Sequence, residues 1–302
     1  MNFQHIKAFC TIVAEGSFSR AAEILHLTQP TISAQIQILE KAAGARLFER
    51  SAQGISLTQA GRTFHTYATQ MLELSTRATQ AMEQLQGLAR GELTLAASSV
   101  PGHYILPRLL AAFKAQWPAV QVRLSVSNSQ AVRAGVRDNA FELGMVGERA
   151  RDDRLTFDPV MEDHLVLVVR ADHSLAATGQ VDPLQLFDLP LVIRELGSGT
   201  RSTLERAMQR AGLSPERLKV MLELGSAEAV KAAVLATDWG AILSAWSVAD
   251  DVRVGRLVAR PIHGLDLHRS FYLVWRTHGY LSVASEQFIR FLRAHQPVRP
   301  EI

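Results

Sequence analysis

The apolar residues of the first sixty positions follow the spacing of two short helices that meet at a tight turn. The second helix carries a buried stripe at i, i+4 and i+7, made by Ile32, Ile36 and Leu39. Thr28 is predicted to cap its N-terminus, and Pro30 falls in its first turn, where a missing N–H costs little. The first helix is predicted from about residue 18, with its apolar residues at helical spacing: Phe18, Ala21, Ala22 and Leu25.

This stripe leaves the opposite face of the second helix polar. No acidic residue lies between Ile24 and Leu39, so nothing on that face would repel phosphate groups. Gln and Ser side chains carry the donors and acceptors that base edges and phosphates need. The face suits a helix that enters a DNA groove, while an ordinary amphipathic helix pair with a solvated face remains an open alternative. The outward residues are Gln29, Thr31, Ser33, Ala34, Gln35 and Gln37.

A short β-hairpin is predicted directly after this helix pair. Gly44 ends the second helix, and Phe48 and Leu57 bracket the hairpin. Its tip, at residues 51–54, would lie beside the helix as a wing. Two helices and a wing in this order favour a winged helix-turn-helix unit that places one helix in a DNA groove.

A long helix is predicted next, because its apolar positions recur at heptad spacing. From Phe64 the intervals are 3, 4, 3, 4, 3, 4 and 3 residues, a seam of roughly 25 residues or about 37 Å. So narrow a stripe favours dimerisation through paired helices, and Ala78 and Ala81 would allow close approach. Packing of the helix on its own domain is the alternative. The seam consists of Phe64, Tyr67, Met71, Leu74, Ala78, Ala81, Leu85 and Leu88.

Beyond a hinge at Gly87–Gly91 the pattern changes to short apolar strands that alternate with helices. Helices are predicted around Tyr104–Ala115 and Gln130–Asp138. Apolar strands separated by helices of about 10–15 residues indicate parallel α/β sheets. The strand segments are ELTLAAS, VQVRLSVS, FELGMVG, HLVLVV, PLVIR, GAILS and FYLVW.

Four of the strand ends or following turns carry small hydroxyl or glycine residues. In open α/β sheets ligands bind beyond the carboxyl ends of strands, against helix N-termini, and hydroxyl donors there suit a small anion. Arg194 and Arg201 would add positive charge, or would pair with surface carboxylates instead. Each segment alone is explained by a cap or a turn, whereas a ligand cleft explains all of them together. The candidate ligand-binding residues are Ser98, Ser99, Ser127, Asn128, Ser129, Gly147, Gly197, Ser198, Thr200, Arg201 and Ser226.

Charge is informative mainly in its distribution. The formal net charge of the 302 residues is only +3, and 47% of them are hydrophobic, enough for sizeable cores. Within residues 1–62, six Lys or Arg stand against four Glu, a net of +2, and the first aspartate of the chain is Asp138. So modest a charge suits a DNA-binding unit that acts as a dimer or a larger assembly.

Motifs of other function classes are absent from the sequence. It has no Gly-x-Ser-x-Gly, P-loop or Gly-x-Gly-x-x-Gly, and its ten His form neither HExxH nor tight pairs with Cys10. We therefore expect no enzyme, cofactor or metal site. The lone Cys10 is expected to be a structural thiol. With no signal-peptide pattern and no apolar run of about 18 residues, a cytoplasmic protein without membrane contact is expected.

Residues 17–58 and their flanks resemble the N-terminal domain of LysR-type bacterial transcriptional regulators. The match holds at fixed spacing over about sixty residues: Phe3, Phe9, Gly16, Ser17, Phe18, Ala21, Ala22, Leu25, Gln29, Pro30, Ser33, Ile36, Leu39, Glu40, Gly44, Leu47, Phe48, Arg50, Leu57, Thr58 and Gly61. Two positions depart from it, since Ala34 and Gln53 stand where the family often has Arg, and each removes a phosphate anchor. The candidate DNA-contacting residues are Ser17, Ser19, Arg20, Gln29, Pro30, Thr31, Ser33, Gln35, Arg50 and Gln53.

This resemblance implies a multidomain α/β protein. A winged helix-turn-helix domain is expected at 1–58, a linker and dimerisation helix at 59–90, and a two-lobed effector domain, like a periplasmic binding protein, at 91–302. Lobe I would comprise 91–163 and 267–302, and lobe II 164–266. The crossovers would lie near Asp163–Leu165 and Asp266–Arg269.

The resemblance also implies a function. It is sequence-specific binding to an inverted repeat in double-stranded DNA by a homodimer or homotetramer, under the control of a small, anionic effector. RNA polymerase would be a further partner of an activator. The stretches SSVPGHYILPRLLAAF, ELGMVG and RELGSGTR look like the subgroup linked to sulfur or cysteine metabolism and to carbon-fixation operons. A plain solute-binding module, whose N-terminal helices serve only for assembly, is the rival hypothesis.

Overall fold

The computed structural model describes residues 2–51, 54–85, 91–279, 281–297 and 300. The chain divides into two compact units, Met1–Gly87 and Leu88–Ile302, and each is described by itself. The predicted hinge at 87–91 lies outside the described residues except for Gly91, as does Leu88 of the heptad seam.

The N-terminal unit is a three-helix cluster with a hairpin and a long fourth helix. Its elements are α1 (Phe3–Glu15), α2 (Phe18–Ile24), α3 (Gln29–Ala43), β1 (Phe48–Ser51), β2 (Gly54–Leu57) and α4 (Gln59–Leu85). The ring of Phe9 lies at its centre, with centroids 5.1 Å from Phe48 and 5.2 Å from Phe64. Phe64, predicted as the first residue of the dimer seam, therefore packs on its own domain instead. The predicted stripe of α3 is confirmed, since all three of its residues are buried.

Two glycines permit the turns of this unit. Gly44 adopts φ +67°, a left-handed conformation, and ends α3 as predicted. Gly61, in the first turn of α4, lies so near the start of the hairpin that an added Cβ would come within 2.0 Å of the Leu47 carbonyl oxygen. The start of α4 is thereby fixed against the wing.

The C-terminal unit alternates strands with helices. Its elements are β3 (Gly91–Ser98), α5 (Leu106–Gln116), β4 (Val120–Ser127), α6 (Ser129–Arg137), β5 (Leu143–Val146), β6 (Leu155–Arg170), β7 (Leu191–Arg194), α7 (Gly199–Arg210), β8 (Val220–Leu224), α8 (Ala227–Ala236), β9 (Gly240–Ser244), α9 (Ala245–Arg253), β10 (Leu257–Arg260), β11 (His268–Arg276) and α10 (Val283–Ala294). A π-helical turn, Pro101–Ile105, precedes α5, where the sequence predicted an ordinary helix from about Tyr104.

Nine of the described strands form one mixed sheet in the order β4-β3-β5-β11-β6-β9-β7-β8, with β10 also paired to β6. The parallel sheets predicted from the strand–helix alternation are thus only partly right. The β3 strand is parallel to β4 and β5, and β7 is parallel to β8 and β9. Between these sets, β6 and β11 run antiparallel to their neighbours, and β6 continues from one half of the sheet into the other.

One long strand, β6, joins the two halves of the sheet. It pairs with β11 up to His164 and with β9 from Leu165 onward, so its partner changes within the crossover predicted at 163–165. We call the half with β3, β4, β5 and β11 lobe I, and the half with β7, β8, β9 and β10 lobe II. Helices α5, α6 and α10 pack on lobe I, and α7, α8 and α9 on lobe II. The residue limits predicted for the domains and lobes stay predictions.

Candidate DNA-binding surface and effector cleft

Side-chain caps set the ends of the helix pair in the N-terminal unit. The Ser17 hydroxyl accepts a hydrogen bond from Arg20 N at the start of α2, and the Thr28 hydroxyl accepts one from Thr31 N at the start of α3. A cap of this kind stabilises a helix by about 1 kcal/mol. The cap predicted at Thr28 is therefore confirmed, and the buried stripe of α3 turns its opposite face to solvent.

Most of the predicted DNA-contacting side chains lie at the surface of this unit. Ser17 and Ser33 are half-buried. Gln35, predicted to face outward, is also half-buried, and its Oε1 is shielded from solvent without a hydrogen-bond partner. The Arg50 side chain, and Gln53 altogether, lie outside the described residues. The exposed members are Ser19, Arg20, Gln29, Pro30 and Thr31.

Glu40, for which no contact was predicted, fixes the wing to α3. Its Oε1 accepts hydrogen bonds from Leu47 N at 2.7 Å and Phe48 N at 3.3 Å, at the start of β1. Thr58 supports the other side of the wing, since its hydroxyl donates to Arg46 O at 2.7 Å and accepts from Gly61 N at 2.9 Å. The wing thus has a fixed position relative to α3.

In the C-terminal unit a narrow cleft lies between lobes I and II. Lobe I supplies the end of β3 and the first residue of α6, and lobe II supplies the end of β7 and the first turn of α7. Two helices begin at this cleft, so the positive ends of their dipoles favour negative charge there. Its free space is about 10 Å³, room for about one water molecule. The lining consists of Ser98, Ser99, Val100, Ser129, Arg194, Ser198, Gly199, Thr200 and Arg269.

Two buried arginines bring positive charge to the cleft, and each is held by a carboxylate. Arg194 donates to both carboxylate oxygens of Glu195, at 2.7 and 2.9 Å. Arg269 donates through Nε to Asp163 at 2.7 Å and through Nη1 to the Thr200 hydroxyl at 3.2 Å. The carboxylates keep both guanidinium groups in place while leaving other N–H groups for a ligand.

Ser129 presents a buried hydroxyl without a partner. The residue is 1% exposed, and its Oγ has no hydrogen-bond partner in the described structure. A buried polar atom in this state costs free energy, and one at a helix N-terminus is placed to donate to an anion. Gly199 permits the close approach, because a Cβ there would lie 3.0 Å from the Ser129 Oγ and 3.2 Å from the Gly147 carbonyl oxygen.

Two family models cover nearly the whole chain. The bacterial regulatory helix-turn-helix protein of the lysR family matches residues 3–62, and the LysR substrate binding domain matches residues 86–297. The second match alone exceeds half of the chain. The protein belongs to the LysR family of transcriptional regulators. The family is non-enzymatic. The match of the helix-turn-helix model contradicts the rival hypothesis of a plain solute-binding module whose N-terminal helices serve only for assembly.

Curated relatives of this LysR-type regulator include proteins named for carbon fixation. A probable RuBisCO transcriptional regulator of Synechocystis sp. is 32% identical over 92% of this chain and 82% of its own. Another, the RuBisCO operon transcriptional regulator of Acidithiobacillus ferrooxidans, is 32% identical over 96% of this chain and 92% of its own. Of the two subgroups that the sequence resembles, these relatives represent the carbon-fixation one.

Two solved structures of the family bear on the two sites. The regulatory domain of CcmR from Synechocystis, in complex with 2-PG, matches 68% of this chain and 97% of that chain, with 30% identity and a TM-score of 0.63. Full-length CbnR complexed with its target DNA matches 97% of this chain and 99% of that chain, with 26% identity and a TM-score of 0.56.

Several residues predicted to bind the effector of this LysR-type regulator lie outside the cleft lining. Arg201 was predicted to add positive charge to the cleft, with pairing to surface carboxylates as the alternative. The structure shows the alternative, because its guanidinium pairs with Glu205 at 2.7 Å and with Glu223 at 2.6 Å. Asn128 and Ser226 cap α6 and α8. The others are the exposed Ser127, Gly197, which adopts φ +85° against Gln130, and Gly147, which lies behind Gly199.

Arg269 is the charged cleft residue that was not predicted from the sequence, and the apolar Val100 of the lining was not predicted either. Arg269 is far from the four segments in sequence and reaches the cleft from β11, where only the crossover brings it near α7. Among the described residues, no three or more His, Cys, Asp or Glu cluster in a way that would hold a metal ion. No helix in the described part is long and apolar enough to cross a membrane.

Proposed function

We propose that this LysR-type regulator acts in the cytoplasm as a homodimer or homotetramer on an inverted-repeat operator, under the control of a small anion bound between its lobes. The DNA part is supported by the outward polar face of α3, which carries Gln29 and Thr31, and by the anchored wing. CbnR, which shares this architecture, has been solved on its target DNA. RNA polymerase is a further partner if the protein activates.

The assembly part is supported by the exposed seam of α4. Tyr67 is 57% exposed and Leu74 is 55% exposed, with Met71 between them. Large apolar side chains in a row on one helix favour a partner helix, and the heptad spacing fits a paired coil. Ala68 and Leu72 on the neighbouring face pack on the helical core instead, so the two faces of α4 have different roles.

The effector part is carried by one observation, the unpartnered Ser129 hydroxyl in a cleft with two buried arginines. Such a site favours carboxylate and phosphate oxygens, which accept from hydroxyl, guanidinium and backbone N–H donors. CcmR, 30% identical over its matched regulatory domain, was solved with 2-PG. We therefore place 2-phosphoglycolate and related small phosphorylated or carboxylated acids first among the candidate effectors.

Calorimetric titration with 2-phosphoglycolate, glycolate and sulfate tests the effector proposal. We expect the Ser98→Ala/Thr200→Ala double variant to bind the effector at least about tenfold more weakly than the wild type, since hydrogen bonds to charged groups contribute about 1.5–3 kcal/mol each. Ser174→Ala, at an exposed serine of lobe II, is the matched control. Equal titrations of double variant and wild type would refute the site.

Ser129→Ala gives a second, independent readout. We expect the same loss of affinity, but no loss of stability, because the Oγ gives up no hydrogen bond when it is removed. Chemical denaturation of both proteins measures this. A variant that unfolds more easily by more than about 1 kcal/mol would mean that the hydroxyl has a structural partner.

A further inference from the structure

A polar contact joins the lobes beside the effector cleft. Lys231, on α8 of lobe II, donates to the hydroxyl of Tyr104 on lobe I at 3.1 Å. The ammonium also lies 5.2 Å from the centroid of the Tyr104 ring. Tyr104 belongs to the π-helical turn Pro101–Ile105, which follows directly on the cleft residues Ser98 and Ser99.

On the lobe II side the contact is rigid. Lys231 is only 16% exposed in its side chain and pairs with Asp251, 2% exposed, at 3.0 Å. It also donates to Ser247 O at 3.2 Å and lies 3.3 Å from Glu228. These partners all belong to α8 and α9, so the ammonium stays in place when the lobes move, and Tyr104 is the group that would leave.

On the lobe I side, Tyr104 is held as a neutral phenol. Burial, together with its hydrogen bond to Glu228 and the nearby charges of Glu228 and Asp251, raises the pKa of Tyr104 far above its ordinary value. The hydroxyl therefore keeps both its donor and its acceptor at any physiological pH. It accepts the hydrogen bond from Lys231 across the lobe boundary.

We infer that Tyr104, with Lys231 and Asp251, is a latch that holds the lobes together and sets the cost of effector entry. The cleft behind it has room for about one water molecule, so an anion of several heavy atoms fits only when the lobes part. Parting breaks the latch, and the latch therefore opposes effector binding by the free energy of this contact. The link to the effector rests on the proposed function above.

Two backbone amides report directly on lobe separation. Gln130 N donates to Gly197 O at 3.2 Å, and Ala227 N donates to the Ser99 Oγ at 3.1 Å. Both lie in the first turn of a helix, where no intrahelical acceptor exists, so only the opposite lobe protects them. Their hydrogen exchange becomes faster when the lobes part, without any unfolding.

Residue-resolved hydrogen exchange on the full-length protein tests the latch. We expect Tyr104→Phe, which keeps the ring and removes the hydroxyl, to speed exchange at Gln130 and Ala227 about three- to tenfold, the range of a single net hydrogen bond. Tyr272→Phe, a half-buried tyrosine of lobe I away from the boundary, should leave both rates unchanged. Core amides of Leu95 and Ile242 should not change in either variant.

Two outcomes overturn the latch. One is an unchanged rate at Gln130, the reporter on α6, a helix that carries neither Tyr104 nor its partners, because the lobes then do not separate when the hydroxyl is lost. The other is equal acceleration at the core amides, because Tyr104 then serves global stability. The separate variant Lys231→Arg keeps the positive charge and its hydrogen-bond donors, so its exchange rates should stay near those of the wild type.

Titration with 2-phosphoglycolate separates the latch from the proposed effector. We expect Tyr104→Phe to bind it about three- to tenfold more tightly and to associate faster, because less work is needed to part the lobes. Weaker binding would overturn the opposing role of the latch. If the wild type fails to bind any of the candidate anions, the effector proposal fails, while the exchange rates still decide whether the latch exists.

Discussion

Gln29 lies in the first turn of α3 with its side chain exposed, on the face that the buried stripe turns to solvent. A side-chain amide that pairs with a base edge contributes about 1–3 kcal/mol of discrimination between bases. We expect Gln29→Ala to weaken operator binding roughly tenfold or more while effector affinity stays unchanged. Fluorescence anisotropy and calorimetry measure the two. Gln37→Ala, exposed on the same helix but two turns further on, is the control, and an equal loss in both variants would contradict the assignment.

The thiol of Cys10 is expected to be unreactive. Burial raises the pKa of Cys10 to about 11 from 9.0, against a smaller opposing effect of the hydrogen bond with Thr69. The reactive species is the thiolate, so a pKa higher by two leaves about a hundredfold less of it at neutral pH. We expect iodoacetamide to label native Cys10 far more slowly than the urea-unfolded protein, with rates that rise through pH 11. Labelling of the native protein at the unfolded rate would contradict this.

Single residues of the cleft could be predicted from sequence only where the chain itself signals them. Serines and glycines at strand ends mark turns and helix starts, and Ser98, Ser129 and Thr200 line the cleft as that signal suggested. The two arginines 201 and 269 show the limit. Arg201 adjoins the glycine-rich turn but lies on the side of α7 that faces Glu205, whereas Arg269 enters from a strand whose approach depends on the crossover. The sequence thus shows that a positive charge is near a turn, but not whether the side chain points into the cleft.

At the scale of elements, the α4 helix is the proposed site of assembly. We expect Leu74→Asp to halve the mass of the assembly in solution, because it places a carboxylate on an apolar seam between paired helices. Thr66→Asp, exposed on the same helix but off the seam, is the control. Light scattering on both variants measures the masses. An unchanged mass for Leu74→Asp would mean that the seam is not an interface.

Long, strongly periodic elements were predictable, and short edge elements were not. The apolar residues of α3 and α4 repeat at helical spacing over several turns, and both predicted helices are present. By contrast, β8 and β10 have five and four residues and were not predicted. Most residues of β8 are exposed, so its sequence lacks the alternation of apolar and polar residues that marks a strand with one buried face. The part of β6 before His164 was not predicted, because its charged residues meet partners from β11 and α10 that only the assembled sheet supplies, as Asp163 does with Arg269.

At the scale of the whole molecule, an effector can control DNA binding only if it prefers one arrangement of the protein. In the proposed mechanism, opening of the latch gives a second lobe arrangement, and paired α4 helices of an oligomer would carry this change to the DNA-binding units. Linkage then requires that operator DNA and effector alter each other's affinity by the same factor. Coupling of about 1–3 kcal/mol is typical and corresponds to a 5- to 150-fold effect.

An operator fragment from upstream of the protein's own gene, labelled at both ends with a donor and an acceptor dye, tests the whole account most directly. Energy transfer reports binding and bending together, with and without 2-phosphoglycolate. We predict that the effector changes the affinity at least about fivefold, or changes the end-to-end transfer, in the wild type. At an effector concentration that half-saturates the wild type, Ser129→Ala should bind the same DNA and show a much smaller response. A wild type that ignores the effector, or a Ser129→Ala variant that responds fully, would contradict control through the cleft.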